Sequence, residues 1–244
     1  MPPKLPLNKA AGPEGIPNKI YSLLAPYIAG PLKAIFDRSI KDRKFPDDWK
    51  DAIIVPIPKT HPPVLQKLRS ISLLSTPSKV FEKLVLKKMF NLIEPLFGCW
   101  QHAFRPLTST STALLQLMDT ATQIYDDKEY RGFAILSMDL SKAFDKVDHG
   151  TLLKKASKSL PSGFVAWLES YLSTRTFRVR VQDQLSNSYP VHSGVPQGSV
   201  LGPALFSIPV ADLPQANIVN TFIQDADDLN IIVPLIRDDS TYIK

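Results

Sequence analysis

Two apolar, β-rich runs near the C-terminus flank the acidic segment Asp225–Asp228, and this feature limits the possible folds most strongly. The runs read TFIQ and LNIIV, and apolar runs joined by a short polar turn are typical of an antiparallel hairpin. A further apolar run, 132–140, has Asp139 at its C-terminal end and predicts a buried strand. Helical patterns occur between these predicted strands.

Helical spacing predicts most of the other elements. Two helical pieces are expected at 20–32 and 32–40, followed by a short strand in DAIIVPIPK that is ended by prolines. Thr76 is expected to cap a helix that begins at Pro77. A further helix is expected from Thr110 or Ser111, with one apolar face formed by Leu114, Leu115, Met118, Ala121 and Tyr125.

Composition narrows the class of protein. The 244 residues carry a net charge of +6, which suits a polyanionic partner such as nucleic acid. Cys99 is the only cysteine, so a disulfide framework and a cysteine-based zinc site are excluded. No apolar run approaches the roughly 20 residues that span a bilayer, and the first residues do not resemble a signal peptide. We therefore expect no membrane association and a nuclear or cytoplasmic location.

The three aspartates Asp139, Asp227 and Asp228 stand at strand ends. If the strands are neighbours, their carboxylates converge and repel one another unless a cation lies between them. Mg²⁺ prefers such hard oxygen ligands, and two Mg²⁺ ions support in-line nucleotidyl transfer. Taken singly, each aspartate could equally be an ordinary cap or turn former, so spacing alone leaves both interpretations open.

The segments around these aspartates resemble the polymerase motifs of reverse transcriptases from non-LTR (LINE-type, jockey-like) retrotransposons. AILSMDLSKAFDKVDH, SGVPQGSVLGPALF and QDADDLNII resemble the three palm motifs of that family. The upstream segments KAAGPEGIP, WKDAIIVPIPK, LRSISLL, FEKL and QHAFRPLTSTSTALLQL follow the family's order. The resemblance covers the chain from about Lys9 to Val233.

This resemblance implies an α+β fold, the right-hand polymerase, with a mainly helical fingers region at 1–130. The palm region at 131–244 would consist of a small antiparallel sheet backed by helices. It implies an RNA-directed DNA polymerase, which adds dNTPs to the 3′-hydroxyl of a DNA primer on an RNA template. The expected cofactor is a pair of Mg²⁺ ions, with Mn²⁺ as an alternative.

The resemblance also assigns the metal-binding and catalytic residues. Asp139 and Asp227 would hold both metal ions, with Asp228 in a supporting role and the Leu140 carbonyl as a further ligand. Phe144 matches the aromatic residue that excludes a 2′-hydroxyl from the nucleotide site. The alternative role for Phe144 is a core aromatic residue.

Nucleotide and template contacts are assigned in the same way. Gln197 and Gly198 match positions beside the incoming nucleotide. Arg69 matches the fingers arginine expected on the triphosphate, and Lys59 would assist it. Arg105 is expected to position the template backbone.

The sequence departs from the family pattern at the acidic turn. Asp225 replaces the usual aromatic residue and adds a fourth carboxylate, so we expect impaired catalysis. The endonuclease and thumb regions of the parent element are also expected to be missing, as in a truncated copy. Three alternatives stay open at this point: a non-catalytic nucleic-acid-binding remnant, another palm polymerase such as an intron maturase or an RNA polymerase, and a reading frame that yields no stable protein. Phe144 argues against the RNA polymerase, which would have a small or polar residue at that position.

Overall fold

The chain forms two compact units, each with its own sheet. The computed structural model describes residues 5–64, 67–140, 142–211 and 219–237. Unit 1 comprises Met1–Ile93 and Phe144–Phe206, and unit 2 comprises Glu94–Ala143 and Ser207–Lys244. These units reflect contacts within the chain, so the expected fingers region at 1–130 and palm region at 131–244 stay a prediction.

Unit 1 combines long helices with a mixed sheet. Its helices are α1 Asn18–Asp42, α2 Thr76–Ile93, α4 His149–Ala156 and α5 Ser162–Leu172, and it contains the start of α6 Gly202–Val210. Its strands are β1 Asp51–Pro58, β2 Leu68–Leu73, β4 Thr176–Val181, β5 Gln184–Leu185 and β6 Tyr189–Pro190. The strand order is β2-β1-β4-β5, and β6 also pairs with β4. β1 pairs antiparallel with β2 and parallel with β4.

An aromatic cluster forms the core of unit 1. Phe36 of α1 stacks on Phe81 of α2 with ring centroids 4.5 Å apart. The ring of Phe81 lies 5.4 Å from Trp167 of α5, and Phe45 contacts Tyr171 edge to face at 5.0 Å. Such aromatic pairs stabilise a fold beyond the area that they bury, and here they join α1, α2 and α5.

Two local predictions for unit 1 were wrong in detail. Residues 20–32 and 32–40 form one helix, α1, although it contains Pro26 and Pro31. Each proline removes a helical hydrogen bond, but the packing of Phe36 keeps the helix continuous. The predicted short strand also extends through its prolines to Pro58. Beyond Ile54, β1 no longer pairs with β4, and such unpaired edges tolerate proline.

Unit 2 contains the acidic hairpin. Its helix is α3 Thr110–Asp126, and its strands are β3 Tyr130–Asp139, β7 Thr221–Asp225 and β8 Asp228–Ile236. The strand order is β3-β8-β7, and both pairings are antiparallel. Short 3₁₀ helices occur at Asp47–Trp49 in unit 1, at Glu94–Leu96 in unit 2 and at Ala143–Lys146.

Helix α3 covers one face of this sheet, but not with the face predicted from spacing. Ser109 caps the helix in a capping box with Thr112, as expected for a start near Thr110. The buried contacts to the sheet come from Ala113 and Ile124, with Leu117 partly buried. The predicted face is wrong, because Leu114, Leu115, Met118 and Tyr125 are exposed. Both faces of this helix carry apolar residues, so periodicity alone did not select the correct one.

The α+β class and the small antiparallel sheet backed by a helix are confirmed. Among the described residues, no helix combines the length and the apolar character that crossing a bilayer requires.

Candidate active site

Four carboxylates meet at one end of the unit 2 sheet. Asp139, the last residue of β3, lies directly opposite Asp228, the first residue of β8. Asp228 in turn lies opposite Asp225, the last residue of β7. Opposite residues in an antiparallel pair have Cβ atoms about 4.5–5.5 Å apart on the same face. With Asp227 in the connecting turn, these four aspartates form what we call the acidic cluster.

The hairpin turn is tied to the end of β3. Ala226 adopts the left-handed conformation with φ 59°, as two-residue hairpin turns require. The Leu140 N–H donates to the Asp227 carbonyl at 3.3 Å. The Leu140 carbonyl, the predicted metal ligand, accepts from the Ala143 N–H at 3.1 Å and keeps a second lone pair. The structure therefore brings together Asp139, Leu140, Asp227 and Asp228.

Like charges repel one another within the acidic cluster. Burial, followed by the charges of Asp227, Asp139 and Asp225, raises the pKa of the Asp228 carboxyl. A raised pKa means that the ionised carboxyl is less stable than it is in water, because no positive charge compensates its own. A divalent cation among these carboxylates would supply that charge.

Two buried glutamines, which were not predicted from the sequence, support the turn. Gln224 of β7 forms a parallel bridge with Gln101, and both side chains are buried. The Gln101 Oε1 accepts from the N–H groups of Ala226 and Ala103 at 3.2 and 2.8 Å, and the Gln224 Nε2 donates to the Ala226 carbonyl at 2.8 Å. Both glutamines lie inside the quoted segments QHAFRPLTSTSTALLQL and QDADDLNII. The signal in the sequence that could have identified them was a polar residue beside each apolar run.

In unit 1, residues predicted to contact the nucleotide lie at the turn formed by Pro196, Gln197 and Gly198, which we call the Pro-Gln-Gly turn. Gly198 has φ +125°, and a Cβ there would lie 2.6 Å from the Ser72 carbonyl oxygen. Only glycine fits such a close approach at this backbone conformation. The Ser72 N–H donates to the Gln197 carbonyl at 2.7 Å. The turn is thus held against β2, the strand that carries Arg69.

Phe144 lies close to the same turn. Its ring stacks on Phe206 at 4.7 Å, and its carbonyl accepts from the Val195 N–H at 2.8 Å. The Gln197 amide donates to the neighbouring Asp145 carboxylate at 3.3 Å. The stack is compatible with both roles considered for Phe144, the sugar gate and the core aromatic residue.

Two of the three predicted basic residues are exposed, whereas the third is paired with other residues of the chain. Arg69 is exposed on β2 opposite Ile57, and Lys59 is exposed just beyond β1, near the same end of the hairpin. Arg105, by contrast, forms an ion pair with Glu94 and donates to the Gly98 carbonyl at 3.1 Å in unit 2. Template binding by Arg105 stays a prediction, and it would have to coexist with these internal bonds.

Sequence similarity identifies the family to which the chain belongs. The sequence profile of the family "Reverse transcriptase (RNA-dependent DNA polymerase)" matches residues 57–240. The chain belongs to this family. The predicted recognition is therefore confirmed, and the catalytic motifs in both units are those of a reverse transcriptase domain.

Relatives of this reverse transcriptase domain occur in retrotransposons. It is 33% identical to the RNA-directed DNA polymerase from mobile element jockey of Drosophila melanogaster, over 98% of this chain and 26% of the relative. It is 36% identical to the probable RNA-directed DNA polymerase from transposon BS of the same species, over 87% of this chain and 24% of the relative. The chain thus spans about a quarter of the length of these curated relatives.

A solved structure supports the fold. Telomerase from Candida albicans, in a complex with a fragment of telomeric RNA, aligns with a TM-score of 0.52 at 15% identity. The alignment covers 83% of the reverse transcriptase domain and 42% of the telomerase chain. The right-hand polymerase fold predicted from the motifs is consequently confirmed.

The acidic cluster fits divalent metal ions by the chemistry of its donors. All four side chains are carboxylates, the hard oxygen ligands that Mg²⁺ and Mn²⁺ prefer. Within the described ranges, no three or more His, Cys, Asp or Glu side chains are already arranged to hold an ion. Residues able to hold metal are therefore present, and their final coordination would form when the ion binds.

Proposed function

We propose that this reverse transcriptase domain carries out RNA-templated DNA synthesis from dNTPs, with the acidic cluster as its catalytic centre. The single observation that carries this proposal is the register of the unit 2 sheet, in which Asp139 lies opposite Asp228 beside Asp227. Aspartates from two separate motifs thus lie at the same end of one sheet, and nucleotidyl transfer would require their carboxylates to share two metal ions.

The residues of the acidic cluster would divide the work. Asp139 and Asp227 would hold two Mg²⁺ ions, or Mn²⁺ ions in their place, with Asp228 and the Leu140 carbonyl as supporting ligands. When bound, the ions lower the pKa of the primer hydroxyl and stabilise the leaving pyrophosphate. The backbone hydrogen bond from Leu140 to Asp227 ties the end of β3 to the hairpin turn that carries Asp227.

Unit 1 would supply the nucleotide contacts. The Pro-Gln-Gly turn offers the backbone of Gly198 and the amide of Gln197 to the incoming dNTP. Phe144 would exclude a 2′-hydroxyl sterically, and Arg69 and Lys59 would bind the triphosphate through charge-assisted hydrogen bonds. Arg105 would contact the phosphates of the RNA template. These roles rest on the positions of the residues within the family's motifs.

Primer extension tests this function directly. The full 244-residue chain is incubated with oligo(dT) on poly(rA), dTTP, and Mg²⁺ or Mn²⁺. We expect extension with either metal and none in the presence of EDTA. When UTP replaces dTTP, we expect no extension, because Phe144 would exclude the 2′-hydroxyl of UTP.

The competing function, non-catalytic nucleic-acid binding, gives a different result. Steeply salt-dependent binding of the same primer–template, with no extension at any metal concentration, would favour it. The net charge of +6 makes such binding plausible on its own, so extension rather than binding is the decisive readout. A nuclear or cytoplasmic location stays a prediction.

A further inference from the structure

Glu82, on α2 in unit 1, is a charged residue that is completely buried. One carboxylate oxygen, Oε1, accepts from the Ser78 hydroxyl at 2.8 Å. The other, Oε2, accepts from the backbone N–H groups of Val200 and Leu201 at 2.8 and 3.2 Å. A buried carboxylate is retained only where its hydrogen bonds are made, and here two of the three donors are backbone groups from a distant part of the chain.

These two N–H groups belong to the segment between the Pro-Gln-Gly turn and helix α6. Within the turn, the Ser199 N–H donates to the Pro196 carbonyl at 3.1 Å. The Ser199 hydroxyl accepts from the Gly202 N–H at the start of α6 at 2.8 Å. Glu82 therefore holds the C-terminal side of the turn, while the bond from Ser72 to Gln197 holds its N-terminal side.

Further buried polar groups surround Glu82. Burial raises the pKa of Glu82, whereas Ser78, the two backbone donors and the positive charge of Arg175 oppose that rise. Arg175 is itself buried and donates to the Tyr171 carbonyl at 3.1 Å. The Tyr171 hydroxyl is buried near Glu82 and Ser199 without a hydrogen bond of good geometry. Lys79, one helical turn away, carries a further positive charge.

We propose that Glu82 is a positioning residue that sets the conformation of the Pro-Gln-Gly turn, and through it the affinity of the domain for the incoming dNTP. This inference rests on the proposed function, because the turn is taken to contact the nucleotide. Glu82 does not touch the nucleotide itself. Its contribution is to fix the backbone on which Gln197 and Gly198 are carried.

The test uses three substitutions of Glu82 in the full chain. In Glu82→Gln, the amide oxygen still accepts from Val200 and Leu201, and the amide nitrogen donates to the Ser78 hydroxyl instead. In Glu82→Ala, two buried N–H groups lose their acceptor. Glu82→Asp keeps the charge but is too short to reach the turn, and it provides a milder variant if the alanine variant fails to fold.

Two readouts are measured for each variant. We expect the alanine and aspartate variants to raise the KM for dTTP about tenfold, with kcat changed less than about threefold, because ground-state positioning is lost. Amide hydrogen exchange at Val200 and Leu201 should accelerate about tenfold or more relative to the amides of α5. The glutamine variant should resemble the wild type in both readouts.

Val85→Ala is the matched control. Val85 is buried on the same helix, so its truncation lowers stability without removing a partner of the turn. It should leave the KM and the exchange at Val200 and Leu201 unchanged at a temperature where the variants are folded. The proposal would be overturned if Val85→Ala changed the KM and the amide exchange as much as the Glu82 variants do. Unchanged exchange in both Glu82→Ala and Glu82→Asp would also overturn it. If the wild type extends no primer, the proposed function fails, and exchange alone still decides whether Glu82 sets the turn.

Discussion

Asp225 stands where related reverse transcriptases usually carry an aromatic residue, directly opposite Asp228 across the hairpin. Like charges in opposed positions of an antiparallel pair destabilise it. The same arrangement contributes to the raised pKa of Asp228. At the scale of single residues, Asp225 adds a like charge to the acidic cluster, although burial and the charges of Asp227 and Asp139 contribute more to the raised pKa of Asp228.

We predict that Asp225→Asn stabilises the domain by about 0.5 kcal/mol in the absence of metal, because one repulsive pair is removed. We also expect severalfold faster primer extension. Urea unfolding and the poly(rA) assay measure these two effects. Asp183→Asn, at an exposed turn between β4 and β5, is the control that should change neither. Slower extension in Asp225→Asn would mean that this fourth carboxylate assists catalysis.

Gly198 gives a second residue-level prediction. An alanine at this position would have both a strained backbone and a Cβ only 2.6 Å from the Ser72 carbonyl oxygen. We expect Gly198→Ala to cost about 2 kcal/mol or more in the free energy of unfolding, and to weaken dNTP binding. Gly30→Ala serves as the comparison, since Gly30 lies in α1 with open space around its Cα, and alanine favours a helix by about 1 kcal/mol. A Gly198→Ala variant as stable as Gly30→Ala would contradict the observed turn geometry.

At the scale of elements, helix α3 contacts the catalytic sheet through Ile124 and not through Leu115. We predict that Ile124→Ala lowers the free energy of unfolding by about 2–4 kcal/mol, because a packed side chain is lost from a small core. Leu115→Ala should change it by less than about 0.5 kcal/mol. Denaturant unfolding of the two variants compares the faces, and the opposite ranking would restore the face suggested by periodicity.

The sequence predicted the elements with strong local patterns. The acidic hairpin and the strand that ends at Asp139 were predicted correctly as elements, because apolar β-branched runs and a polar turn specify them locally. The predicted burial of that strand was wrong, because Ile135, Leu136 and Met138 of β3 are exposed. The cap of α3 at Ser109 was likewise close to the predicted start.

Features set by distant contacts could not be predicted in this way. The parallel pairing of β1 with β4 joins segments far apart in the chain. The burial of Gln101, Gln224 and Glu82 depends on backbone partners that no local pattern reveals. Both features depend on tertiary contacts between distant residues, so local sequence preference does not predict them.

At the scale of the whole molecule, the residues predicted for catalysis and nucleotide binding are distributed over both units. Unit 2 contains the acidic cluster, and unit 1 contains the Pro-Gln-Gly turn, Phe144, Arg69 and Lys59. The curated relatives are about four times longer than this chain. Primer extension by this chain tests the activity of the domain alone, and substitution within the acidic cluster tests which residues carry that activity.

The most direct test compares the wild type with Asp139→Asn in the poly(rA)–oligo(dT) assay with Mg²⁺ or Mn²⁺. Asparagine keeps the shape of the side chain and removes the charge, so both proteins should have similar melting temperatures. We predict that the wild type extends the primer and that Asp139→Asn reduces the rate by about a hundredfold or more, as expected for loss of a group that stabilises charge in the transition state. Extension by Asp139→Asn at the wild-type rate would contradict the assignment of the acidic cluster as the catalytic centre.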